Sequence, residues 1–304
     1  MNIRTIITAI TLVAATTASA ANQGNGNITI KTGKVSKQLV ETWITAYKAV
    51  RPEVNITIVS NNADANLTLS TATTNDGVNV AEGTNTTAVG RTAILPVTSA
   101  ENPLLSEIEK KRWNDKELKK LFFQTDDDLL DDGEQKTKKE KLADKLTVFS
   151  GNNKTSAAQT YAEHFGVAKS DFRGKRIAGD DIYLLNAIQK EKQAVTFNTL
   201  TYLYDLSSRS LKQNLVILPL NVKKEQAETL GSGNLDKTLD LLEQQKVEGT
   251  AVGSISFTYQ LFNTDIEDFL SWVVSDGQQY NHSAGFLKLN TSEAKQQLKL
   301  LAER

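Results

Sequence analysis

The chain has 304 residues, 39% of them hydrophobic and 23% charged, which is enough apolar material for two domains and too much for a disordered polymer. Lys and Arg number 35 against 36 Asp and Glu, so the basic excess of a nucleic-acid binder is missing. There is no cysteine, which excludes disulfide staples, a Cys-linked lipid anchor, thiolate metal sites and cysteine catalysis.

The first twenty residues read as a secretory signal. Arg4 supplies a positive start, Ile6 to Ala15 is apolar except for Thr8 and Thr11, and Ala18-Ser19-Ala20 offers small residues for cleavage before Ala21. The run falls short of the about 20 apolar residues that a spanning helix needs. A mature chain free in a periplasm, without a membrane anchor, is the expectation.

Ile28-Thr29-Ile30 predicts a short strand, followed by a loop over Lys31 to Lys34. Val35, Leu39, Trp43 and Tyr47 then fall every four residues and form one apolar helical stripe, which Arg51-Pro52-Glu53 ends. Val54 to Val59 alternates like a strand. A strand-helix-strand opening predicts an α/β domain with a largely parallel sheet. Thr71 to Thr87, rich in Asn, Thr and Gly, reads as loop. Ala93 to Val97 reads as an edge or linking strand because it contains Pro96.

One helix is expected over Glu101 to Phe123. The acidic run Asp126 to Asp132 and the basic run Lys136 to Lys145 read as solvated, mutually paired charges. A calcium loop is excluded by spacing, since Leu130 falls where a ligand is required. Leu146 to Phe149 predicts a strand running into Ser150 to Thr155, with a helix from Thr155 carrying Ala158, Tyr161, Ala162 and Phe165. A helix over Ile182 to Ile188, strands over Val195 to Phe197 and Leu215 to Leu220, and a helix around Leu235, Leu239 and Leu242 follow. Ile266, Phe269, Leu270, Val273, Val274 and Tyr280 mark a last helical face.

Catalytic sets are missing. His164 and His282 are the only histidines and neither sits in a metal or triad motif, so surface or capping roles are expected for both. Asp180-Asp181 reads as the cap and first-turn charge of the helix it precedes. An enzyme, a cofactor and a metal are not expected.

Two loops suit anion binding instead. Thr32 to Ser36 and Asn152 to Ser156 each follow a strand and open a helix, whose unsatisfied N–H groups and partial positive charge can hold an anion. Ordinary N-capping by Ser36 and Thr155 is the alternative reading of the same residues.

The segment Ile266 to Tyr280, reading IEDFLSWVVSDGQQY, is followed by Ala284 to Leu289, reading AGFLKL. Together they resemble the closing motif of the phosphate-binding components of bacterial ABC importers. Ile28 to Tyr47 is similar to that family's opening strand, ligand loop and helix, Arg91 to Pro103 to its Asn-Pro crossover, and Leu215 to Leu242 to the return segment of its Bacteroidetes-type members.

The resemblance implies a two-lobed α/β fold of the periplasmic-binding-protein kind (type II-like) with two crossovers between lobes. Residues 21–97 with 218–304 would form the first lobe and 98–217 the second. A small, phosphate-like anion or other polar solute would bind in the cleft, lined by Gly33, Lys34, Ser36, Ser70, Thr71, Asn153, Lys154 and Thr155. The partner would be a membrane transport complex.

The chain departs from the family where phosphate is held. The family's R-x-x-x-S-G-T loop is here Phe149 for Arg, Asn153 for Ser and Lys154 for Gly, with only Thr155 kept. Its proton-accepting carboxylate has no counterpart in Ala65 to Thr71. Loss of a bidentate Arg removes the strongest side-chain contact to an anion. The second expectation is therefore a binding-protein scaffold that has lost its solute and serves as a protein-interaction module.

Overall fold

A computed structural model describes residues 26–70, 84–124, 141–151 and 156–304. The signal segment, both charge runs up to residue 140, and Thr71, Asn153, Lys154 and Thr155 lie outside the described residues. No helix among the described residues is long and apolar enough to cross a membrane.

The opening is as the pattern predicts. β1 (Asn27–Thr32) buries Ile28 and Ile30 and pairs in parallel with β2 (Asn55–Ile58) and β3 (Leu67–Ser70). Between β1 and β2, α1 (Lys34–Val50) buries Val35, Leu39, Trp43 and Tyr47, joined by Ser36 and Val40 on the same face. The Arg51 N–H bonds the carbonyl of Tyr47 and closes the last turn before Pro52.

β4 (Asn85–Ser99) is a fifteen-residue strand, so 85–87, expected as loop, belongs to it. It is a linking strand and not an edge: β7 (Ala194–Thr199), β10 (Leu215–Ile217) and β11 (Ala251–Tyr259) all pair with it antiparallel. Pro96 is tolerated because it stands where the β10 ladder runs out. Its carbonyl accepts the Leu218 N–H at 3.0 Å, and only the one reciprocal bond, at the end of the ladder, is lost to the ring. The strand expected over Leu215 to Leu220 is accordingly only three residues long.

The expected helix over 101–123 is two helices, α2 (Leu105–Lys110) and α3 (Asp115–Phe122). Asn114 breaks it. Its Oδ1 accepts the Glu117 N–H at 2.9 Å while Glu117 reaches back to the Asn114 N–H at 3.1 Å, a capping box that starts a new helix. Trp113, just upstream, is left free to exchange backbone bonds with Pro219 and Asn221.

A short α4 (Leu142–Lys145) leads into β5 (Thr147–Gly151), α5 (Ser156–Phe165), β6 (Lys175–Ile177) and α6 (Ile182–Lys190), then β7. The turn α7 (Leu200–Leu203) and the two-residue strands β8 (Tyr204–Asp205) and β9 (Ser210–Leu211) precede β10. Helices α8 (Lys224–Gly231) and α9 (Leu235–Gln244) come before β11, and α10 (Thr264–Val274) and α11 (Thr291–Ala302) close the chain. The sheet runs β2-β1-β3-β11-β4-β7-β5-β6, with β10 added on β4. It is mixed where a largely parallel sheet was expected, because every contact of the linking strands is antiparallel.

Two apolar cores make this a two-lobed α/β fold. One holds Ile28, Trp43, Tyr47, Leu69, Val89, Ile255, Phe257, Phe269 and Trp272. The other holds Ala93 to Leu95, Trp113, Phe122, Tyr161, Phe197, Leu218, Leu235, Leu239 and Ala251. β4 passes from the first core into the second between Val89 and Ala93, and β11 returns between Ala251 and Ile255. These are the two crossovers. Side chains of 218–251 pack into the second core, which is where the packing differs from the lobe division drawn on the sequence.

The β4–β11 ladder slips by one residue between Ile255 and Ser256, leaving Val89 as a bulge. Its carbonyl accepts from Gln278 Nε2 at 2.9 Å and from Asn281 Nδ2 at 3.3 Å. Gln278 Oε1 in turn accepts the Leu289 N–H at 2.9 Å. The family-like closing motif is thus structural: its Gly-Gln pair ties the C-terminal turns to the irregular point of a crossover.

Candidate functional site

The first half of the site grows out of β1 and β3. Their register sets Thr32 opposite Leu69, so Gly33, which follows β1, and Ser70, the last residue of β3, come next at the carboxyl ends of neighbouring parallel strands. That edge is where open α/β sheets hold ligands. Gly33 is the extended residue before α1, and a Cβ placed on it would meet nothing within 4 Å among the described residues. Among the described residues no side chain caps α1, and its first turn holds no acidic residue, so its end keeps N–H donors and partial positive charge. Lys34 is exposed and makes no ion pair among the described residues.

Ser36 does not cap α1, whose N-cap is Gly33. It is fully buried, its hydroxyl lying 2.8 Å from Thr32 Oγ1 and 3.5 Å from the Gly33 carbonyl. It steadies the β1–α1 turn from beneath. Of the predicted set, the structure brings Gly33, Lys34 and Ser70 together and turns Ser36 inward; Thr71, Asn153, Lys154 and Thr155 lie outside the described residues.

The second half holds a carboxylate that the sequence placed elsewhere. Asp181 precedes α6, yet its side chain makes no capping bond there. Both oxygens instead sit 3.3 Å from the N–H of Ala157, in the first turn of α5, and the residue is 4% exposed. The α6 start is served by Asp180, whose Oδ1 accepts the Ile182 N–H at 3.1 Å. Asn198 fixes the Asp181 backbone through Nδ2 at 2.6 Å to its carbonyl, and takes the Thr199 N–H at 2.8 Å. An internal carboxylate therefore lies where the dipole of α5 favours negative charge.

Tyr202 stands close by and packs against both cores. Burial first, then a hydrogen bond to Asp180 and the negative charges of Asp180 and Asp181, push its phenol well above the usual tyrosine range. It stays protonated and donates to Asp180.

The two lobes meet again behind this edge. α5 rests on crossover β11, where Thr160 fills the space beside Gly253. Thr201 Oγ1 donates to the Ala284 carbonyl at 3.0 Å, and Arg209 donates to the carbonyls of His282 and Ser283 while paired with Asp236 at 2.6 Å. His282 bonds Glu243 at 2.8 Å, and His164 lies 3.4 Å from Asp115. Among the described residues neither histidine bonds to Gly33, Lys34 or Ser70.

No family model matches the chain, and no curated protein matches it. Solved structures do. A putative phosphate ABC transporter substrate-binding protein with bound phosphate from Clostridium perfringens is 13% identical, with a TM-score of 0.53 over 87% of this chain and all (100%) of that one. An ABC-type phosphate transport receptor from Vibrio cholerae is 12% identical over 86% and 100% of the two chains, at a TM-score of 0.49. The substrate-binding domain of a putative molybdenum ABC transporter from Clostridium difficile is 11% identical over 87% and 99%, at 0.45. At such identities the likeness is one of fold: the first of these structures and this chain share a fold.

Proposed function

We propose that this chain is an exported solute-binding protein of the ABC-importer kind, which holds a small anion or polar solute between its lobes and delivers it to a membrane transport complex. It is not an enzyme in this reading, and it acts in the periplasm after loss of residues 1–20. The Bacteroidetes-type branch remains our reading of Leu215 to Leu242. One observation carries the proposal: the uncapped start of α1, with Gly33 and Lys34, stands beside Ser70 at the carboxyl edge of two parallel strands. Thr71, Asn153, Lys154 and Thr155 complete the proposed lining, and Ser36 supports it from below.

Phosphate, sulfate and molybdate at millimolar concentration test this by thermal shift. A ligand at 100 times its Kd stabilises by about 2.7 kcal/mol. At least one oxyanion should therefore raise Tm by several degrees, and Lys34→Ala should shrink the rise without lowering the Tm of the free protein. Flat melting curves with all three would remove the anion reading.

Asp181 favours the second reading, a scaffold whose second lobe supplies its own anion. Asp181→Asn keeps the shape and withdraws the charge. Since an anion at a helix start is worth about 1–2 kcal/mol in a partly buried setting, this variant should bind phosphate about 5–30-fold more tightly than the parent by calorimetric titration. If the parent binds nothing and Asp181→Asn does, the lost-solute reading holds.

A further inference from the structure

We infer that Asp240, Glu243 and His282 form a binding site for a zinc-class divalent metal ion, placed across the joint between the lobes. Asp240 and Glu243 are three residues apart on α9 and so share one face of the helix. His282 comes from the other side of the joint, on the turn before Ala284 and Phe286, which belong to the first core. One carboxylate oxygen from each acid and one ring nitrogen of His282 lie within 4.8 Å of one another. Two carboxylates and an imidazole are the donors of zinc and its neighbours, whereas calcium and magnesium take oxygen alone.

The donors are held as ligands need to be. Glu243 Oε1 lies 2.8 Å from His282 Nε2 and accepts the Lys288 N–H at 2.5 Å, which fixes its carboxylate against both segments. Arg209 grips the carbonyls of His282 and Ser283, and the fully buried Asn281 anchors the preceding residue through the Val89 and Leu287 carbonyls. Such outer bonds orient first ligands and sharpen affinity. Asp240 is exposed and makes no hydrogen bond or ion pair among the described residues, so its side chain is at liberty to close on an ion. An ion would replace the Glu243–His282 hydrogen bond, whose proton leaves to solvent, with bonds of about 2.0–2.2 Å to each, while the Asp240 side chain rotates in and water completes the shell. An ion so held would pin α9 of the second lobe to the C-terminal turns of the first.

This inference is independent of what the cleft binds. Zinc chloride titrated into the intact chain should show one site by calorimetry and raise Tm, while magnesium chloride should do neither. Asp240→Asn, which breaks no contact, should leave the metal-free Tm unchanged and weaken zinc binding by at least about tenfold. His282→Gln should weaken it at least as much. Cobalt in place of zinc should give visible absorption bands that both variants lose. The site is refuted by an absence of zinc binding, by zinc affinity equal in parent and both variants, or by magnesium binding as well as zinc.

Discussion

Trp43→Ala should cost about 3–5 kcal/mol in urea unfolding followed by far-ultraviolet circular dichroism. The indole is completely buried, with its ring 6.1 Å from Phe257, and its Nε1–H donates to the Gly277 carbonyl at 3.0 Å. Truncation leaves a cavity too large for the neighbouring strands to collapse into, and orphans a buried carbonyl besides. Trp43→Phe separates the two effects. It keeps most of the volume and loses the hydrogen bond, so about 1–3 kcal/mol of the loss should remain. A change below about 1 kcal/mol for Trp43→Ala would mean that α1 is not packed on the C-terminal turns as described.

Gly253→Val should be nearly as damaging, at about 2–3 kcal/mol. A Cβ on Gly253 would lie 2.6 Å from Thr160 Cγ2 and 3.0 Å from its hydroxyl. Thr160 is buried and β-branched, so it has few rotamers to retreat into, and α5 must lift from β11. That lift also carries Ala157 away from Asp181. Thr160→Gly in the same chain makes room, so the double variant should recover at least about half of the loss relative to the sum of the two single changes. Strict additivity would show that the crossover and α5 do not press on each other at this point.

Much of the first lobe was legible because its signals are local. The stripe of Val35, Leu39, Trp43 and Tyr47 sits on α1 as spaced, and Ile28 and Ile30 face the core as alternation requires. The same stripe, followed through Ser36, Val40, Trp43 and Tyr47, already put Ser36 on the buried face, so its burial could have been read from periodicity. Residues 85–87 were harder: a tract of Asn and Thr looks like loop, yet β-branched Thr suits a strand once a neighbour pairs with it. The split at Asn114 was readable as Asn followed three residues later by Glu117.

The rest depends on long-range contact. Asp181 looks like a cap for the helix that it adjoins, and only the fold reveals its partner Ala157, 24 positions earlier. His282 carries no metal motif in sequence, because its two acidic companions are brought to it from a helix 39 residues upstream. The Val89 bulge is likewise silent until β11 is laid beside β4.

Because β4 and β11 stay hydrogen-bonded to each other while they pass between the cores, the connection is a ribbon and not a pair of independent straps. A ribbon bends easily across its face and resists shear in its plane, since sliding one strand past the other breaks ladder bonds in concert. Any displacement of one core against the other would therefore bend this ribbon across its face before it sheared it, like the covers of a book turning about a spine.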